Sequence, residues 1–111
     1  MTKITYHIGV NCCVRIEGHA CAPRQNGNDL CCAAESMLAC TLVNTIQKLP
    51  LVKRYIYVAD GSVCVSFGSV CLHGVAGIGA VKTIINGFEL LQEKYPDNVS
   101  VQCERRICKS E

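Results

Sequence analysis

Apolar and polar residues alternate from Lys3 to Ile8 and again from Cys12 to Glu17, with Gly9-Val10-Asn11 between the two runs. A period of two, rich in β-branched residues and broken at a glycine, predicts a β-hairpin. Residues 19–28 then collect Pro23, Asn26, Gly27 and Asn28 among small and polar neighbours, which predicts a mobile loop. From Cys31 the period lengthens. Cys31, Ala34, Leu38, Leu42, Thr45 and Leu49 recur at spacings of three and four up to Pro50, the signature of one long amphipathic helix. Asn28 or Asp29 supplies its cap, since a short side-chain oxygen can accept from a free N–H two or three residues on.

Alternation returns in residues 54–59 and 62–67, on either side of Asp60-Gly61. That dipeptide suits the positive backbone angles of a tight hairpin turn. Gly74, Gly77 and Gly79 interrupt the next pattern and read as a flexible lead into a second helix, whose stripe is Val81, Ile84, Ile85, Phe88 and Leu91, ending at Tyr95-Pro96. The glycine run has no lysine and the wrong order for a phosphate loop. Residues 99–103 read as a last short strand and residues 105–111 as a frayed tail. The pattern therefore predicts an α+β fold in the order ββαββαβ, a single, mostly antiparallel sheet packed against two helices.

At 111 residues the chain is expected to be a single domain, residues 1–111, able to bury a core without staples. Its eleven basic and nine acidic residues are dispersed, and no basic block exceeds Arg105-Arg106, which argues against direct nucleic-acid binding. Residues 1–10 lack a cationic lead and an apolar stretch of signal length, and no later run reads as a membrane span, so the expectation is a cytosolic protein with no membrane partner. Ten cysteines would ordinarily suggest disulfides. Without an export signal, and with several cysteines at apolar positions, most are expected to be small buried hydrophobes in a reducing compartment. The chain holds no C-x-x-C and no paired Cys/His knuckle, so neither a metal nor a cofactor is called for. His7 and His73 are given ordinary structural roles, Cys21 is read as incidentally exposed in the loop rather than as an oxidation partner, and Asn98-Val99-Ser100 carries no meaning without secretion.

One pairing carries chemistry. Cys32 falls in the first turn of the long helix, where unpaired N–H groups and the positive end of the helix dipole favour thiolate over thiol. His19, thirteen residues earlier in Gly18-His19-Ala20, is a candidate proton carrier for it. Ser36 lies one turn beyond Cys32 on the same face, placed to orient a side chain or a water. Cys31 lies on the core stripe and is expected to be inert. Asp29 is explained as a cap before a third catalytic member is needed.

Gly18-His19-Ala20 at the end of a strand, a glycine-containing loop, then Asp29-Leu30-Cys31-Cys32-Ala33-Ala34 with Ser36 one turn on, make a pattern that resembles the ribosomal-processing cysteine protease family Prp. The Asp60-Gly61 hairpin and the closing helix before a short strand extend the resemblance over the whole chain. The departures are the cysteine content and Cys31, which stands where the family commonly has an aliphatic residue. The resemblance implies a thiol protease of ribosome biogenesis with His19 and Cys32 as catalytic pair and Gly18, Ala20, Asp29 and Ser36 in supporting or substrate-binding roles. Its implied partner is the N-terminal extension of the large-subunit ribosomal protein numbered twenty-seven, cut after an aromatic pair before alanine, with the protease a possible homodimer. Phage-encoded relatives extend the implied substrates to capsid or scaffold proteins. The competing classes are a non-catalytic, ribosome-associated peptide-binding module and a thiol redox sensor or metal carrier.

Overall fold

The computed structural model describes residues 1–18 and 30–104. Its elements are β1 (Thr2–His7), β2 (Asn11–Gly18), α1 (Leu30–Lys48), β3 (Val52–Ala59), β4 (Ser62–Gly68), α2 (Gly74–Lys94) and β5 (Val99–Cys103), the expected order. The strands form one mixed sheet in the order β3-β4-β2-β1-β5. The β1–β2, β2–β4 and β3–β4 pairs are antiparallel, and β5 runs parallel to β1 from Thr2 opposite Val99 to Tyr6 opposite Cys103. Ile4, Cys12, Val14, Ile16, Val65, Phe67 and Val99 turn one face of the sheet towards Leu42 and Ile46 of α1 and Val81 and Phe88 of α2, closing the core. This is the alternation of the sequence made physical, because side chains at every second strand position share a face.

Two sequence expectations change. The glycines before Val81 are helical, and α2 begins at Gly74. Gly74 and Gly77 serve close packing, whereas Gly79 faces open space: the Ser69 carbonyl occupies the space a Cβ at Gly74 would need, and a Cβ at Gly77 would stand 2.7 Å from Phe67 Cε2. Where the helices cross, a Cβ at Gly87 would stand 2.7 Å from Leu38 Cδ2. The stripe of α1 is also rotated. Its buried residues are Cys31, Glu35, Leu42 and Ile46, whereas Ala34, Leu38, Thr45 and Leu49 are only half-buried. Ala33, Ala34 and Ala39 spread small side chains around the helix, so spacing alone does not mark the side that meets the sheet.

The cysteines are less uniformly buried than their apolar spacing predicts. Cys12, Cys13 and Cys31 are buried, Cys32, Cys64 and Cys71 half-buried, and Cys40 and Cys103 exposed. Cys13 is disulfide-bonded, which departs from the expectation of reduced thiols. The loop of residues 19–28, the Asn28 or Asp29 cap and the tail of residues 105–111 lie outside the described residues. By length and composition α1 and α2 would each reach across a bilayer, unlike the sequence reading, but both lay a buried face on the sheet or on each other. His7 donates from Nδ1–H to the Glu104 carbonyl at 3.1 Å, and His73 sits at the N-cap position of α2 without a side-chain cap bond.

Candidate active site

The first turn of α1 is held by a buried polar cluster. Glu35 is 7% exposed, and its two carboxyl oxygens accept separately, Oε1 from Thr2 Oγ1 at 2.8 Å and Oε2 from Cys31 Sγ at 3.7 Å. Thr2 is itself tied by its backbone N–H to the Asn98 carbonyl at 2.8 Å, at the start of β5. A buried carboxyl group needs such partners, because leaving one unsatisfied costs about 1–3 kcal/mol or more. The cluster therefore fixes the head of α1 over the starts of two strands. With Cys31 wholly buried, its neighbour Cys32 is turned about 100° around the helix and is half-buried.

That turn brings Cys32 into a cleft of about 220 Å³. Ser36, Ala39 and Cys40 continue its helical wall at spacings of four, seven and eight. The facing wall is the end of β2, with Ile16 and Gly18, and the hairpin turn Asp60-Gly61. Gly18 has φ 98°, its N–H donates to the Gly61 carbonyl at 2.9 Å, and the Met1 carbonyl occupies the place of a Cβ. Only glycine meets both demands at little cost. Here the β-strand ends and the chain departs towards His19.

Of the residues singled out from the sequence, Gly18, Cys32 and Ser36 line this one cleft, while His19, Ala20 and Asp29 lie outside the described residues. Thr2, Glu35, Cys40 and Asp60 join the cleft without having been singled out. Glu35 did carry a signal, an acidic residue one turn after Cys31 within an otherwise apolar stripe. Asp60 was read only as a turn former. Glu35 and Asp60 are the charged residues among the described lining. Among the described residues no group of three or more His, Cys, Asp or Glu side chains is arranged to hold a metal.

A half-buried thiol in the first turn of a helix, beside a cleft open to solvent, on a five-stranded α+β sheet, is an arrangement that thiol chemistry can use. The family model of cysteine protease Prp matches residues 1–100, and the chain belongs to that family of cysteine peptidases. Among solved structures, the fold is similar to the essential ribosomal processing protease Prp from S. aureus in complex with a covalently linked product peptide. That match has 19% identity and a TM-score of 0.76 and covers 94% of this chain and 100% of that one. The same protease with a substrate peptide matches at 18% identity and a TM-score of 0.73, with the same coverage. SMU.848 from Streptococcus mutans matches at 24% identity and a TM-score of 0.67, covering 96% of each chain. No curated protein matches the chain significantly.

Proposed function

We propose that this peptidase removes the N-terminal extension of the large-subunit ribosomal protein numbered twenty-seven, using Cys32 as nucleophile and His19 as proton carrier. The observation that carries the reading is the position of Cys32: first turn of α1, half-buried, and open to a cleft walled by Gly18, Ser36 and the Asp60-Gly61 turn. The S. aureus relative, a ribosomal processing protease that takes peptides, supports the substrate class. A cytoplasmic homodimer belongs to the same reading.

In this mechanism the Cys32 thiolate attacks the scissile carbonyl carbon, and the oxyanion that forms is met by backbone N–H groups of the first helical turn. In this reading the His19 imidazolium supplies the positive charge that favours the Cys32 thiolate. It gives its proton to the departing amine, leaving a thioester on Cys32. Neutral His19 then takes a proton from water as its oxygen attacks the thioester, and collapse of the second tetrahedral intermediate expels the Cys32 thiolate with the carboxylic acid product, restoring the thiolate–imidazolium pair. Ser36 orients the water or the imidazole from one turn away.

The test is incubation with peptides carrying an aromatic pair before alanine, with products weighed by mass spectrometry. Cleavage between the second aromatic residue and alanine is the expected result. Tight binding without cleavage would overturn the enzymatic reading in favour of a peptide-holding module, and cleavage elsewhere would overturn the substrate assignment.

A further inference from the structure

The last row of backbone pairs at the cleft end of the sheet runs through Thr2. Thr2 stands opposite Gly18 of β2 on one side and opposite Val99 of β5 on the other, and its N–H donates to the Asn98 carbonyl at 2.8 Å. Beyond Gly18, the Gly61 carbonyl accepts from the Gly18 N–H at 2.9 Å. Three strands and the Asp60-Gly61 turn are thus tied level with the point where the chain leaves β2 for His19. The Thr2 hydroxyl points out of this row and donates to Glu35 Oε1 of α1 at 2.8 Å. Glu35 Oε2 accepts from Cys31 Sγ at 3.7 Å, which closes the first turn of α1 around Cys32. One buried hydroxyl therefore joins the strand end that leads to His19 with the helical turn that carries Cys32.

We infer that Thr2 and Glu35 are positioning residues for the peptidase reaction. Their bond sets the separation and angle between the end of β2 and the head of α1, and through these the approach of His19 to Cys32. The inference rests on the Cys32 and His19 reading above and adds what holds the pair in register. Stability alone does not call for a polar tie here. Two apolar side chains of the same shape would hold the helix on the sheet about as well, without the desolvation of a carboxyl group. Glu35 also interrupts a buried stripe whose other members, Cys31, Leu42 and Ile46, are apolar. What a hydrogen bond adds over apolar contact is direction, because it weakens steeply as its angle opens, whereas apolar attraction is non-directional and lets surfaces slide. A catalytic pair needs that direction, since a misplacement of about 1 Å can cost about 10²-fold in rate. In the mechanism above neither residue touches the reacting atoms, so both act through the backbone they hold.

The test compares Thr2→Val, which removes the hydroxyl and keeps the shape, with the double variant Thr2→Val/Glu35→Leu, which removes both polar partners and leaves no carboxyl group unsatisfied. Thr2→Ser keeps the hydroxyl and serves as the rescue. Cleavage of a peptide with an aromatic pair before alanine is measured per folded molecule, the folded fraction being read from a urea titration. Thr2→Val and the double variant are each expected to lower kcat by about 10-fold or more with KM within about twofold, and Thr2→Ser to retain about half of kcat or more. The double variant is expected to keep a urea midpoint close to that of the unaltered chain, which separates placement from stability. An unaltered kcat per folded molecule in Thr2→Val or in the double variant, or a loss carried wholly by KM, would overturn the positioning role while leaving the peptidase reading standing. Absence of cleavage by the unaltered chain would overturn both.

Discussion

The two helices lie on the same sheet and do different work. α2 buries Gly74, Gly77, Val81, Ile84, Ile85 and Phe88, a continuous stripe of glycines and large apolar side chains that meets the sheet and α1 closely. α1 buries only Cys31, Glu35, Leu42 and Ile46, and one of those four is a carboxyl group. The flank of α1 that α2 would give to the core is instead given to the cleft, through Cys32, Ser36, Ala39 and Cys40. A helix that must present a reactive side chain gives up packing on that flank. The lost apolar burial is replaced at its two ends by polar ties, Thr2 and Cys31 onto Glu35 at the head and Arg54 at the tail. Arg54 Nη1 donates to the carbonyls of Ile46, Gln47 and Leu49 at 3.2, 3.0 and 2.7 Å, at the end of the helix, where the Leu49 carbonyl also accepts from the Leu51 N–H at 2.8 Å.

If the division holds, mutations in α1 and α2 separate activity from stability. The largest effect is expected from Cys32→Ala, which should lower cleavage by roughly 10⁴-fold or more while leaving the denaturation midpoint nearly unchanged, since alanine suits a helix and only the sulfur is lost. Cys31→Ala, by contrast, should keep cleavage, because its side chain is wholly buried away from the cleft. A reversed pair of results would move the nucleophile by one residue. Next is Phe88→Ala in α2. Removing a fully buried ring should cost about 3–5 kcal/mol in a urea titration, with cleavage per folded molecule retained. Loss of activity without loss of stability would break the comparison.

The smallest effect belongs to Arg54→Ala. The guanidinium is exposed, so its bonds to the end of α1 are screened by water, and the expected loss is about 1 kcal/mol, read as a lower urea midpoint with unchanged slope. Cleavage by the folded fraction should be unaltered. A change in cleavage comparable with that of Cys32→Ala would mean that the tail of α1 reaches the site, contrary to the division drawn above.

The difference between the helices also explains what was legible in the sequence. The large side chains of the α2 stripe gather on one side, and Val81, Ile84, Ile85 and Phe88 are buried where the spacing placed them, with Leu91 half-buried. α1 is apolar or small on two sides, one for the core and one for the cleft, so its stripe was read with Ala34 and Thr45 in place of Glu35 and Ile46. Strand alternation and the Asp60-Gly61 turn were readable because they are local. The meeting of Gly18 with Gly61 was not, since it depends on β2 pairing with β4 across the whole of α1. The parallel pairing of β5 with β1 and the tie from Thr2 to Glu35 likewise arise only once the chain has folded. Local motif spacing marked Gly18, Cys32 and Ser36, and tertiary contact added Thr2, Glu35 and Asp60 to the same cleft.

The most direct measurement is capture of the thiol by a peptide bearing a reactive carbon at the position of the scissile carbonyl, added in limiting amount at neutral pH, followed by mapping of the adduct by mass spectrometry. Cys32 is predicted to carry it, ahead of the more exposed Cys40 and Cys103, because reactivity follows ionisation and placement rather than exposure alone. An adduct found chiefly on Cys31, Cys40 or another cysteine would contradict the assignment of Cys32 as the nucleophile.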